Sequence, residues 1–281
     1  SMTASASGNG PATSLSPAIT NSRRTSASPR MRARKSASSA GEASRRGAPL
    51  VRLGRDGHYE PLELTQHGGR FNYHGLHLHL DDARVGLLGA HQLANASVAL
   101  AAMEIYADAE GLALDEAQIR EGLAAARFAG RLEVTQTDPL CVLDGAHNQE
   151  KISALLAAVP SIFDYERLIL VLGLLEAKTV DPILLALAEL ADVVVTTPPS
   201  FKGRPALPAE DLAELAHRAG IAAVQAEPEP LAALEQALSL ARPGDMVLVT
   251  GSLYLIGQVR SHWHRADEIV HQRTTFPNGH P

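Results

Sequence analysis

Thiols are almost missing from this chain. Cys141 is the sole cysteine among 281 residues, so no disulfide closes within it. Long apolar runs are missing too: nothing approaches the roughly 18 residues a membrane span needs, and the start shows no apolar signal core. Aromatic side chains make up 4% of the composition, and none is interleaved with the basic residues of 1–46, which argues against a nucleic-acid arm. The reading is a cytoplasmic protein with neither membrane nor nucleic acid as partner.

Large apolar residues and acids are scarce in one place above all, residues 1–46. That stretch holds Ser, Ala, Arg and Thr, with eight Lys/Arg against the single acid Glu42, so it is +7 while the remainder is −13. A segment with so little to bury cannot offset its chain entropy. It reads as a disordered basic tail in preference to a transit peptide or a nucleic-acid arm, and residues 266–281 read as a second tail.

What is present begins at Gly47. Residues 58–80 read as strands separated by the turn signals "HGG" (67–69) and "HG" (74–75). In "LHLHL", Leu76, Leu78 and Leu80 alternate with His77 and His79. Two imidazoles on one face lack a third metal ligand, so a half-buried antiparallel strand with a solvated face is the reading, and no metal site is assigned. Two helices follow, over 91–108 and from about Asp115, where "DEAQ" offers a capping start and Gly130 a stop.

From there the chain alternates short apolar runs with helical stretches. The runs are "PLCVLD" (139–144), "LILVLG" (168–173), "DVVVTT" (192–197), "AAVQA" (222–226) and "MVLVTG" (246–251). Strands without polar alternation are buried on both faces, and helices between them imply an α/β fold with a doubly wound, mostly parallel sheet. Ligands then sit outside the carboxyl ends of the strands. "LDGAHN" ends the first such strand, putting Asp144, His147 and Asn148 on the rim, though Asn148 also suits a helix cap and Asp144 also suits its own loop amides. Lys178 follows the next strand. Gly251 and Ser252 follow the last, where free amides to hold an anion and simple capping by Ser252 compete equally.

Five pieces in one order, "HQLANASVALAA", "FAGRLEV", "VLDGAHN", "VLGLLEAKTV" and "VLVTGSLYLIGQVR", resemble the back half of folylpolyglutamate synthase/dihydrofolate synthase, within the ATP-dependent Mur ligase superfamily. The resemblance runs from about Gly47 to Arg260. It implies a central-domain remnant of antiparallel strands and helices at 47–129 and a Rossmann-like C-terminal domain at 130–265. It also implies ATP-dependent addition of L-glutamate to dihydropteroate or folate through an acyl phosphate, with Mg²⁺. By motif, Asn95 resembles the residue on the adenine, Arg131 the arginine reaching the nucleotide, and Asp144 the acid on the ribose. His147 and Lys178 resemble catalytic groups and Ser252 a substrate contact.

Two departures stand out. Phe128 and Ala129 replace a usual Trp-Pro, and no Gly-x-x-x-x-Gly-Lys-Ser/Thr occurs anywhere in the 281 residues. The phosphate loop and the metal ligands are therefore expected elsewhere, which leaves room for a separate P-loop half as partner and implies a chain inactive alone. The change of composition near Arg46 suits a truncated or frameshifted reading frame as well as a genuine extension on a split ligase. The rival readings are another Mur-type ligase fragment and a non-catalytic nucleotide-binding or interaction module.

Overall fold

The computed structural model describes residues 41–42, 45–47, 50–176, 180–200 and 203–265. The chain divides into two units, residues 1–50 and 51–281. In the first, the described residues Gly41, Glu42, Arg45 and Arg46 are helical, and the Arg46 guanidinium donates to Glu42 2.6 Å away. The remainder of the expected tail, and residues 266–281, lie outside the described residues. All that follows concerns the second unit. Among the described residues no helix is long and apolar enough to cross a membrane.

That unit opens with an antiparallel sheet in chain order, β1 (His58–Thr65), β2 (Gly68–His74) and β3 (His79–Val85). The β1–β2 turn uses Gly68 at φ 129°, where a Cβ would stand 2.2 Å from the Val85 carbonyl oxygen. One sheet face buries Phe71, Tyr73, Leu80, Ala83 and Val85 against helices α1 (Ala90–Glu110) and α2 (Glu116–Ala125). Leu93 and Leu100 of α1 and Ile119 of α2 complete this core. Truncating Leu93 to Ala should cost about 2–5 kcal/mol. Val98, Met103 and Tyr106 of α1 stay exposed.

Two local expectations are corrected here. Residues 75–78 form a turn, not strand, because the N–H groups of His77 and Leu78 donate to the buried Glu104 carboxylate, each at 2.7 Å, and leave the ladder. The alternation itself holds, with Leu80 buried and His77 and His79 exposed. Helix α2 starts where "DEAQ" indicates, Asp115 accepting from the Gln118 N–H at 3.1 Å. It ends at Ala125, well before Gly130. Gly86 N–H donates to Leu123 O at 3.0 Å, and the Arg127 guanidinium donates to Ala124 O and Ala126 O at 2.8 Å each, so the last carbonyls are satisfied early.

A connector, residues 126–132, leads to a six-stranded sheet ordered β4-β5-β9-β6-β7-β8. Its strands are β4 (Glu133–Thr137), β5 (Leu140–Leu143), β6 (Leu168–Leu172), β7 (Val193–Thr196), β8 (Ala223–Ala226) and β9 (Met246–Thr250). Only β4 is antiparallel to its neighbour. The doubly wound, mostly parallel reading stands, with one correction: β4 precedes β5, so "LDGAHN" ends the second strand.

Five helices cover this sheet: α3 (Gln149–Ile162), α4 (Asp181–Ala188), α5 (Ala209–Arg218), α6 (Pro230–Leu240) and α7 (Leu253–Val259). Period-2 geometry splits each central strand between two layers. Val142, Leu170 and Leu248 face the layer of α3, α4 and α5, while Cys141, Leu143, Ile169 and Val249 face that of α6 and α7. Adjacent strands β5 and β9 therefore send their loops to opposite faces, opening a crevice at the carboxyl ends. Its floor is tied: Asp144 N–H donates to Val249 O at 2.9 Å and Gly251 N–H to Ala146 O at 3.0 Å.

Candidate functional site

Asp144 stands at the end of β5, 5% exposed. One carboxylate oxygen accepts the Ala146 N–H at 2.8 Å and the other the Leu132 N–H at 3.0 Å. The acid thus satisfies its own turn and also pins the incoming connector, where Leu132 takes φ 46°, a left-handed conformation costly for a residue with a Cβ. Burial pushes the Asp144 carboxyl above its ordinary range, against the opposing pull of those amides, Arg131 and His91.

Around this carboxylate lies a cleft of about 390 Å³ between α1 and the β5–α3 loop. Asn95, Arg131 and Asp144, three of the residues singled out from the sequence, all line it. Asn95 Nδ2 donates to Gln92 Oε1 at 3.0 Å, pairing two amides on the α1 wall. The Arg131 guanidinium lies 5.5 Å from the Phe128 ring centre, a cation–π contact across the position where the aromatic was kept. Gly145 is required for this arrangement: a Cβ there would lie 2.2 Å from a Leu253 methyl carbon and 3.1 Å from Arg131 Nη1.

Of the other singled-out residues that are described, only Asn148 joins them in the cleft. His147 is exposed at the head of α3, its Nδ1 2.8 Å from Gly145 O and its Nε2 3.3 Å from Lys151 Nζ. Asn148 caps α3, accepting the Lys151 N–H at 2.9 Å, while also lining the cleft. Ser252 is buried and caps α7, accepting the Tyr254 N–H at 3.1 Å; it does not line the cleft. Lys178 lies outside the described residues.

Sequence reasoning missed His91, Gln92 and Lys151, which share the cleft. The signal was available: His91, Gln92 and Asn95 recur at helical spacing within "HQLAN", and Lys151 is four residues from His147. Burial holds the His91 imidazole below its ordinary pKa, the attraction of Asp144 only partly opposing this. Among the described residues no group of three His, Cys, Asp or Glu could hold a metal ion.

A parallel sheet with one antiparallel edge, and a polar cleft at its switch point, define the class: residues 130–253 match the Mur ligase, glutamate ligase domain. Over about three quarters of its length the chain is similar to folylpolyglutamate synthases and to dihydrofolate synthase/folylpolyglutamate synthases. It is 36% identical over 209 residues to a probable bifunctional folylpolyglutamate synthase/dihydropteroate synthase of Haloferax volcanii, covering 72% of this chain and 24% of that protein. It is 30% identical over 214 residues to the folylpolyglutamate synthase of Lacticaseibacillus casei, covering 76% of this chain and 48% of the relative. The crystal structure of Mycobacterium tuberculosis folylpolyglutamate synthase complexed with ADP and AMPPCP superposes with a TM-score of 0.72 at 31% identity, over 80% of this chain and 52% of that one. The chain thus spans about a quarter of the archaeal relative and about half of the other two.

Proposed function

We propose that this chain carries the nucleotide-facing portion of an ATP-dependent ligase of folate metabolism, which adds L-glutamate to dihydropteroate or folate. The observation that carries the reading is the convergence of Asn95, Arg131 and Asp144 on one cleft beside the sheet's switch point. Residues 47–129 are assigned to a central-domain portion and 130–265 to the C-terminal domain. Support for a further body against the first of these comes from the exposed Val98, Met103 and Tyr106 on α1.

Within this reading an amide, Asn95, meets the base edge, and Arg131 meets phosphate as a planar donor. Asp144 meets the ribose hydroxyls. Both its oxygens already accept one amide, yet each keeps a second lone pair for a hydroxyl. His147, with Lys151 Nζ 3.3 Å from its Nε2, is assigned to the phosphate end. Lys178 is assigned there by motif alone. Ser252 keeps a hydroxyl proton to donate to a glutamate carboxylate, since its oxygen is the acceptor in the cap.

The chemistry proposed is a carboxylate oxygen of the folate substrate attacking the γ-phosphorus of ATP, with ADP leaving. The amine of glutamate then attacks the acyl carbon and phosphate departs, the amine's proton passing to base. Mg²⁺ ordinarily accompanies such a transfer. Among the described residues no group of three His, Cys, Asp or Glu is placed to hold it. The phosphate-gripping loop is absent from the 281 residues, and the chain on its own is assigned no turnover.

Calorimetric titration with ADP and ATP tests the reading. Saturable binding, weakened at least about tenfold in Asp144→Ala, is expected. Absence of binding at millimolar nucleotide would overturn it. Binding without turnover, even when a P-loop half is supplied, would favour a non-catalytic nucleotide-binding module.

A further inference from the structure

Helix α1 has the composition of a helix enclosed by protein. From Asn95 to Ala107 its one charged residue is Glu104, and that carboxylate is buried. A helix apolar all round belongs in an interior, and Leu93, Ala96 and Leu100 do pack into the core. Yet Val98 is 59% and Tyr106 62% exposed. Ala99, Ala102, Tyr106 and Ala109 recur at intervals of three, four and three residues and form one exposed stripe, with Val98 and Met103 on its flanks. No exposed charge interrupts it.

Beside the stripe lies a hollow of about 330 Å³ lined by Ala99, Met103, Leu114, Ile119 and Leu123, with Asp115 as an acidic member. An aromatic ring suits such a hollow, and a buried tyrosine hydroxyl needs an acceptor. Asp115 supplies one, since only its Oδ1 is used in capping α2. Charge selects what lies against the stripe. The first turn of α1 holds no acid and its last turn no base. Glu110 ends the helix on the wrong side of its dipole, and among the described residues no cation lies within ion-pair distance of it. A second α1 laid antiparallel brings each Glu110 alongside the other's N-terminal turns and sets the two dipoles head to tail.

We propose that α1 is the interface of an isologous dimer, in which a second copy of this chain packs antiparallel about Ala102. Pairing about that residue sets Tyr106 of each copy against Val98 and Ala99 of the other, at the Ala99 edge of its hollow. The stripe and the hollow belong to one chain, so the surface is complementary to itself. Alanine at 99, 102 and 109 lets the two helices approach closely, and no charge of the stripe has to leave water. This goes beyond the ligase reading and rests on no nucleotide contact.

Sedimentation equilibrium on the full chain, from about 1 to about 200 μM, tests the proposal. Reversible monomer–dimer association is expected with no larger species, because an isologous contact closes on itself. Ala102→Glu sets two carboxylates face to face at the axis and should weaken the dimer at least about tenfold. Tyr106→Ala should weaken it several-fold by emptying the hollow. Both side chains are exposed, so both variants should keep the parent's circular dichroism spectrum. An equimolar mixture of Ala102→Glu and Ala102→Lys should associate more tightly than either variant alone, a rescue that damage to the helix could not give. A parent chain monomeric throughout would overturn the proposal, as would a dimer indifferent to Ala102→Glu, or open-ended association. A chain monomeric alone that forms a one-to-one complex with a supplied P-loop half would reassign the face to that half.

Discussion

The Tyr73 hydroxyl donates to a Glu104 carboxylate oxygen 2.7 Å away, joining strand β2 to the middle of helix α1 across 31 positions of sequence. The same carboxylate, 1% exposed, takes the N–H groups of His77 and Leu78. Gly75 must lack a side chain for this to happen, because a Cβ there would sit 2.0 Å from Glu104 Oε2. One buried acid therefore fixes the β2–β3 turn and the register of α1, and α1 carries Asn95 into the cleft.

Glu104→Ala would leave three donors without a partner and should destabilise the protein by about 3 kcal/mol. Burial pushes this carboxyl up, but the hydrogen bonds from His77, Tyr73 and Leu78 outweigh it and leave the group below its usual range. Its folded value is depressed, so its stabilisation is present above the unfolded value near about 4.3 and is lost as pH falls through the folded one. Urea midpoints measured from neutral to acid pH should show that loss in the parent protein and a flatter acid limb in Glu104→Gln.

Asp144 shifts the other way, burial holding its carboxyl above the ordinary range. The folded form keeps this proton to higher pH than the unfolded chain, so its contribution to stability is largest at low pH and declines as pH rises through the folded value. A ribose diol needs the ionised acid as acceptor. ADP affinity should accordingly begin to fall, on acidification, at a pH above that of a free aspartate. Asp144→Asn should bind ADP weakly with no such step; a pH-independent affinity in the parent protein would contradict the assignment.

Arg260 is a buried cation, its side chain 8% exposed, paired with Glu133, which also accepts the Gly130 N–H at 2.8 Å. Arg260→Ala would strand the acid and loosen the connector, at about 3–5 kcal/mol. Replacing both partners, Arg260→Met with Glu133→Leu, should recover much of that loss in chemical denaturation.

Cys141 is fully buried in the layer beneath α6 and α7, and burial pushes its thiol up to about 12. A disulfide-exchange reagent near neutral pH should find no reactive thiol in the folded protein and one equivalent after denaturation. Rapid labelling of the native state would show that β5 opens locally.

Strands β5, β6, β7 and β9 could be read from sequence because each is built on an apolar run bounded by Gly, Pro or Asp, a pattern forced by burial on both faces, whereas β8, "AVQA", is a mostly exposed edge strand. Strand β4, "EVTQT", shows no such run; it is an edge strand, half-buried, and its place is set by pairing with β5. Gly130 looked like a helix stop, yet α2 is ended by Arg127, three residues and one residue from the carbonyls it takes, and by Gly86, a distant contact that no local pattern encodes. At the site, "DGAHN" announced a polar strand end. That Asp144 would reach back to the Leu132 backbone depends on how the connector returns to the sheet, and twelve residues of sequence separation hide it. Ser252 and Asn148 each cap a helix, the local role their residue types favour, and only Asn148 also faces the cleft.

The alternation of β5, β6 and β9 between two layers has an evolutionary corollary. Neighbouring residues on one strand answer to different helices, so volume changes can drift and be compensated within one layer while the other stays still. The loop at Asp144 hangs from a strand gripped on both sides. Substitutions in either layer alone should then be tolerated there, and only simultaneous erosion of the two would set the carboxylate adrift.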